Sequence, residues 1–286
     1  MKALTIARLT FREAFQRKLV WGVLALSLVF AVLYAYGFHL LVNQWHDIVA
    51  RRAAGERTNS LVTYSVLASN MVMLGLYTVN FLAGIMTIFA AVGSIAGEID
   101  SGTLHAIVPK PLGRWEIVLG KYIGFATMIV IYIAAMVTAV ALSARYVGSY
   151  TPPNLVKGTL LIILVSIILL SLTMFGTTIF STMTNGVIVF MLYGMAMTGG
   201  LVEQIGTLLN NNTMINMGII SSILVPSDSM WRLASYTVQP LGAVSFTGPN
   251  PLGTTVPPSM TAVEYSIAYC VVLLVGAMLV FRYRDL

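Results

Sequence analysis

The side chains that could do chemistry crowd into one passage of the chain. "GEIDSGTLHAIVPKPLGRWEIVLGKY", residues 97–122, carries charges of both signs, a lysine between two prolines, and glycines near each end. Its second half, "GRWEIVLGKY", contains the Gly-Lys pair of a phosphate loop, in which backbone N–H groups cradle a phosphate and the lysine reaches it. That chemistry needs a glycine five residues before the Gly-Lys pair and a Ser or Thr after it. Trp115 and Tyr122 stand at those places, so the motif fails. No loop holds paired carboxylates, metal-spaced His and Cys, or a nucleophile beside a base, so no catalytic residue and no metal site is assigned. Met191 and Met195 lie one helical turn apart, and thioethers suit Cu(I). Methionine is equally a packing residue, however, and no Cys or His joins the pair at depth.

What must hold these residues is a membrane. Of 286 residues 58% are hydrophobic and 9% charged. Apolar runs of the roughly 20 residues that cross a bilayer as a helix recur along the chain. Runs without ionised side chains are Leu19 to Val42, Leu61 to Ala96, Ile123 to Ala144, Gly158 to Val202, and Ala262 to Phe281. The fourth is too long for one crossing, and "STMTNG", Ser181 to Gly186, is its natural break. About six spans result. Met214 to Val225 is apolar but half a span long, which predicts a re-entrant or interfacial segment.

Lys2, Arg8, Arg12, Arg17 and Lys18 precede the first span, whereas Arg51, Arg52 and Arg57 lie farther from its other end. The positive-inside rule therefore puts the amino terminus in the cytoplasm. Six crossings bring residues 97–121 and the tail "RYRDL" to the same side; Arg145, Lys157 and Arg232, on the outside, oppose this orientation. Trp21, Trp45, Trp115 and Trp231 are all expected near interfaces. Leu4, Ala7, Phe11 and Phe15 recur at helical spacing, with Arg8, Arg12 and Gln16 on another face, so residues 1–18 read as an interfacial helix. The inside rule and anionic lipid headgroups account for the net charge of +6, so no nucleic-acid partner is implied. A single cysteine, Cys270, allows no disulfide framework. Asn211 with Thr213 matches a glycosylation sequon, and the first apolar stretch is too long for the core of a cleaved signal.

The span centres carry no Asp, Glu, Lys, Arg or His; His39 and Glu264 fall near outer ends. Such groups mark ion and proton pathways, so an ion-coupled carrier is disfavoured. Tyr77, Asn80, Gly84, Thr87, Ala91 and Ser94 follow at spacings of three and four, giving the second span a small and polar stripe. Gly120, Gly124, Thr127, Ala134 and Thr138 form a similar face on the third. Stripes of this kind let helices approach closely in lipid. The sharper expectation is that Tyr77, Asn80, Thr87 and Ser94 line a translocation path between two subunits.

In the charged passage, Asp100 or Ser101 can cap a short helix over Thr103 to Val108, which Pro109 and Pro111 end. Gly113 turns the chain, and Arg114 to Lys121 lead into the third span. A short helix held below the membrane by two long levers suits mechanical contact with a partner. Glu98, then Gly102, Thr103 and Leu104, then Pro111 with Arg114 and Trp115, then Gly120 and Lys121, resemble the signature of the export-type permeases of ATP-binding-cassette transporters, the second permease family. The order of a basic interfacial helix, about six spans, a large outer region and a basic tail is similar too. "IARLTFREAFQRKLVWGVL" at the start and "LVPSDSMWRLASY" at Leu224 to Tyr236 resemble the branch labelled copper-enzyme maturation permeases.

This resemblance implies an all-α integral membrane protein with about six transmembrane helices, an N-terminal interfacial helix and a cytoplasmic coupling helix. It implies one permease domain over 1–286, with an interfacial helix (1–18), a cytoplasmic coupling loop (97–121) and an outer re-entrant lid (203–260). Its partners would be two separate ATPase subunits that carry ATP and Mg, a second permease copy, identical or homologous, and membrane lipid. No cofactor is expected in this chain, and the location implied is a bacterial or archaeal cytoplasmic membrane with both termini cytoplasmic. Glu98, Gly102, Thr103, Leu104, Pro111, Arg114 and Lys121 would couple to the ATPase. Among them Gly102 to Val108 would dock in its groove, Glu98 and Arg114 would hold the hairpin or the partner, and Lys121 would anchor the third span. A reading of a different class is a non-transporting membrane anchor that uses the same loop to hold a soluble partner.

Overall fold

The computed structural model describes residues 2–54, 64–100, 113–240 and 257–283, and among them it is all-helical. Ten helices follow in order: α1 Lys2–Gln16, α2 Lys18–Ala53, α3 Tyr64–Ala91, α4 Ala96–Asp100, α5 Arg114–Tyr146, α6 Leu155–Ile179, α7 Thr182–Leu208, α8 Asn212–Leu224, α9 Ser227–Val238 and α10 Met260–Tyr283. Of these, α2, α3, α5, α6, α7 and α10 are long and apolar enough to cross a membrane. With no water at depth, a spanning backbone must satisfy its own N–H and C=O groups, which is why each crossing is helical.

The inner helices α3, α5 and α6 share one core, in which Val79, Ile129, Ile133, Val165, Ile168 and Met174 are fully enclosed. Helices α2 and α10 flank it and leave wide apolar faces uncovered, such as Leu28, Val32 and Leu33 on α2 and Val271, Val272 and Val275 on α10. Close approach is achieved where a glycine admits a ring: Gly84 of α3 lies so near Tyr193 of α7 that an added Cβ would sit 2.7 Å from the ring. The fourth apolar run breaks earlier and more tightly than its sequence suggests. α6 ends at Ile179 and α7 begins at Thr182, so most of "STMTNG" is already helical.

Helix α1 packs on the bundle through a face shifted from the one its spacing suggested, since Leu4 and Phe15 are exposed. Ala7, Thr10 and Ala14 are buried against α5, while Leu4, Arg8, Leu9 and Arg12 face outward. Gly124 of α5 makes this contact, because a Cβ there would come 2.7 Å from the Ala7 carbonyl oxygen and 2.9 Å from the Thr10 Cβ. The chain leaves its helical pattern at Arg17 and re-enters it at Lys18 as α2.

At the opposite end α8 and α9 turn back instead of crossing, as their length requires. Asn211 opens α8 by accepting hydrogen bonds from the Thr213 and Met214 backbone N–H groups at 3.0 and 3.3 Å, so in this fold the sequon residue is a helix cap. Trp231, expected near an interface, is enclosed by protein. It is 5% exposed, with its ring 5.5 Å from that of Tyr77.

Gly124→Ala is expected to force α1 away from α5 and cost about 1–3 kcal/mol of stability. Gly22→Ala, where nothing lies within 4 Å of the new Cβ, should leave the melting temperature unchanged or raise it slightly. Thermal unfolding of the two purified variants side by side checks the contrast.

Candidate functional site

The charged passage leaves the bundle at α4 and returns at α5. Gly102, Thr103, Leu104 and Pro111, and with them the expected helix over Thr103 to Val108, lie outside the described residues, as does the Arg114 side chain. What is described is the base of the passage. Asp100 is the last described residue of α4, so the expected cap at Asp100 or Ser101 belongs with the helix outside the described residues.

Helix α3 stops at Ala91, and the chain turns through residues 92–95 before α4. A broken helix frees backbone groups that must find other partners. They find them on three neighbouring helices. The Asn185 amide nitrogen of α7 donates to the Val92 carbonyl at 3.4 Å and to the Thr173 carbonyl of α6 at 3.1 Å. The Ala96 N–H donates to the Thr177 hydroxyl of α6 at 3.1 Å, and the Ser94 hydroxyl donates to the Met174 sulfur at 3.2 Å. From α5, the Lys121 ammonium donates to the Ser94 carbonyl and pairs with the Glu98 carboxylate at 2.5 Å.

The Lys121 and Glu98 side chains are 6% and 20% exposed, so the pair is largely shielded by the protein. Their pairing closes the passage at its base, because α4 and α5 are its two ends. Beside them, Arg17 pairs with Glu13 at 3.0 Å and lies over the Phe125 ring at 6.0 Å. This links the α1–α2 junction to α5. The Gly113 N–H donates to the Glu116 carboxylate at 3.0 Å, capping α5 where the chain returns. Trp115 and Arg282 line a shallow cavity at this same end, so the last helix also finishes here.

The sequence pointed to Glu98 and Lys121 but missed Glu13, Arg17, Thr177 and Asn185. Glu13 could have been noticed as the single acid among the basic residues of α1, four positions before Arg17. Asn185 stood in the predicted break without any pattern tying it to residue 92.

A family model described as ABC-2 family transporter protein matches residues 4–286. The chain belongs to the ABC-2 transporter family. Among curated proteins none matches the sequence. As an ABC-2 permease it is an integral membrane component of transport, and such permeases work with ABC ATPase subunits.

Within this ABC-2 permease, the polar stripe of α3 faces inward. Asn80, Thr87 and Ser94 are buried inside the subunit and do not lie on a face open to a second copy. The Thr87 hydroxyl donates to its own helix at Ala83, and the Asn80 carbonyl accepts from Tyr193 of α7 at 3.4 Å. Tyr77 is the one member of the four left partly exposed. Met191 and Met195 lie on the outward side of α7.

Removing one partner of a buried ion pair strands the other's charge, at a cost of about 3–5 kcal/mol. Lys121→Met is therefore expected to lower stability by that order. The Lys121→Met/Glu98→Gln double variant should lose much less than the sum of its single changes, and a double-mutant cycle on thermal unfolding measures the difference.

Proposed function

We propose that the chain is the permease subunit of an ATP-driven transporter, and that residues 101–112 receive the push of a separate ATPase. The supporting observation is the buried Lys121–Glu98 pair, which fastens both ends of this passage to the bundle. A loop meant only to connect two spans needs no such fastening. A force applied to the passage reaches α4 and α5 directly, then α6 and α7 through Thr177 and Asn185, and α1 through Gly124 and Phe125.

The end bearing the passage faces the cytoplasm in this reading, on the strength of Arg8, Arg12, Arg17, Lys18 and Arg282 gathered there. Two ATPase subunits supply ATP and Mg, and a second permease copy completes the pathway. Gly102, Thr103, Leu104 and Pro111 form the docking face, and Arg114 joins it at the start of α5. The likeness to the copper-enzyme maturation branch belongs to this proposal too. Its two segments are the α1–α2 junction and the helix carrying Asp228 and Arg232.

Mass spectrometry of the gently solubilised protein tests the reading, with a variant in which residues 102–108 are replaced by a flexible linker run beside it. A nucleotide-binding subunit should accompany the native chain and be absent from the variant. Native protein that brings no ATPase, or a variant that retains it, would overturn the docking role.

A further inference from the structure

Between Val202 and Val263 the sequence holds only three charged residues, Glu203, Asp228 and Arg232. The fold brings all three to one place, far from the passage just described. Arg232 of α9 donates through Nη2 to Glu203 Oε2 of α7 at 2.9 Å and to the Ser222 hydroxyl of α8 at 3.3 Å. Its Nε lies 2.9 Å from Asp228 Oδ2, a Coulombic contact in which neither atom has an aligned hydrogen-bond partner. The Arg232 and Asp228 side chains are 8% and 9% exposed, and Glu203 is 22% exposed. Gly200 of α7 leaves the room that Asp228 occupies, since a Cβ there would overlap the carboxylate. The cluster joins α9 to α7 and α8, while α8 also packs on α7 where Gly199 faces Ser221, and α9 on α6 where Gly158 faces Val238.

The charges do not balance. Two carboxylates face one guanidinium, and among the described residues no other charge acts on Asp228. Tyr77 of α3 and Tyr193 of α7 are the remaining titratable groups facing the site, and both are neutral phenols. Lys157 of α6, Glu264 of α10 and Tyr236 of α9 are exposed, and Tyr265 and Tyr269 of α10 donate to the Ile223 and Leu224 carbonyls. Burying a net charge is costly, and a group so placed tends to neutralise itself. One proton on the carboxylate pair makes the seated cluster neutral.

We propose that the Glu203–Arg232–Asp228 cluster is a proton-binding latch: the α8–α9 hairpin holds one proton when seated on α7 and gives it to solvent when it lifts. The proton passes to water from a carboxyl O–H, leaving the carboxylate hydrated, and no other bond changes. In support, burial pushes the Asp228 carboxyl up to about 7; Arg232 pulls the other way and Glu203 adds to the rise. A carboxyl that binds its proton more tightly seated than lifted makes seating more favourable as pH falls through that value, and less favourable as pH rises. Seating depends on pH without any change in its contacts.

Hydrogen exchange of residues 212–238, measured on the full-length protein in neutral-lipid nanodiscs and corrected for the intrinsic effect of pH, tests this. With a seated value near 7 and an ordinary one near 4, opening should be about tenfold rarer at pH 6 than at pH 8. Asp228→Asn and Glu203→Gln each leave one negative charge against one positive, so each should flatten that dependence. Wild-type opening that does not change between pH 6 and pH 8 would overturn the latch, and this needs no variant to fold. So would a wild-type slope that survives in both amide variants.

Discussion

Lys121 places its amino group two turns into α5 with almost no access to water. An ammonium in such a place must be met by oxygen atoms, and the fold supplies them by ending α3 early. The turn after Ala91 frees the Ser94 carbonyl, and α4 presents Glu98 beside it. Once α3 is broken, its other freed groups need partners in turn, and α6 and α7 supply Thr177 and Asn185. A single buried lysine therefore fixes where one helix stops, how the charged passage leaves the bundle, and which neighbours must stand close by. In the proposed coupling role, this dependence is what carries a push on the passage into most of the subunit.

Among the described residues the ion pairs fall at the two ends of the bundle. At one end Lys121, Glu98, Arg17 and Glu13 tie α1, α4 and α5 together; at the other Glu203, Asp228 and Arg232 tie α7, α8 and α9. The length between is neutral and close-packed, with Tyr193 set against Gly84 and hydroxyls turned back on their own helices. Steric fit and local hydrogen bonds work without water, whereas ion pairs at depth carry a desolvation cost. Both ends are thus polar fixtures on an apolar body, and relative motion of the two is set by how rigidly the body transmits it.

Much of this was legible in the sequence, because hydropathy is a sum over about 20 neighbouring residues and survives any tertiary arrangement. The six helices long and apolar enough to cross a membrane and the shorter apolar helix at Asn212–Leu224 follow from it. The passage at residues 97–122 was legible too, since it is a charged interruption between apolar runs. The convergence of residues far apart in sequence was not. Glu203 and Arg232 are separated by a helix and a turn with no periodicity relating them, and Asn185 meets Val92 across two spans. The stripe on α3 shows the same limit from the other side. A small and polar face states that something comes close, but the pattern of Asn80, Thr87 and Ser94 is equally satisfied by α6 and α7 of the same chain as by a second copy.

The central claim is that the loop end of the subunit moves as one body when the passage is pushed. Spin labels at Gln16 on α1 and Met183 on α7, both exposed, report the separation across that end. Labelled permease should be diluted with unlabelled copies in the complex with its ATPase, so that distances within one subunit are read. The account predicts that this distance stays the same with and without trapped ATP, while a distance between Met183 labels on two copies changes. A nucleotide-dependent change in the Gln16–Met183 distance would contradict it, because the clamp at Lys121 would then be a joint.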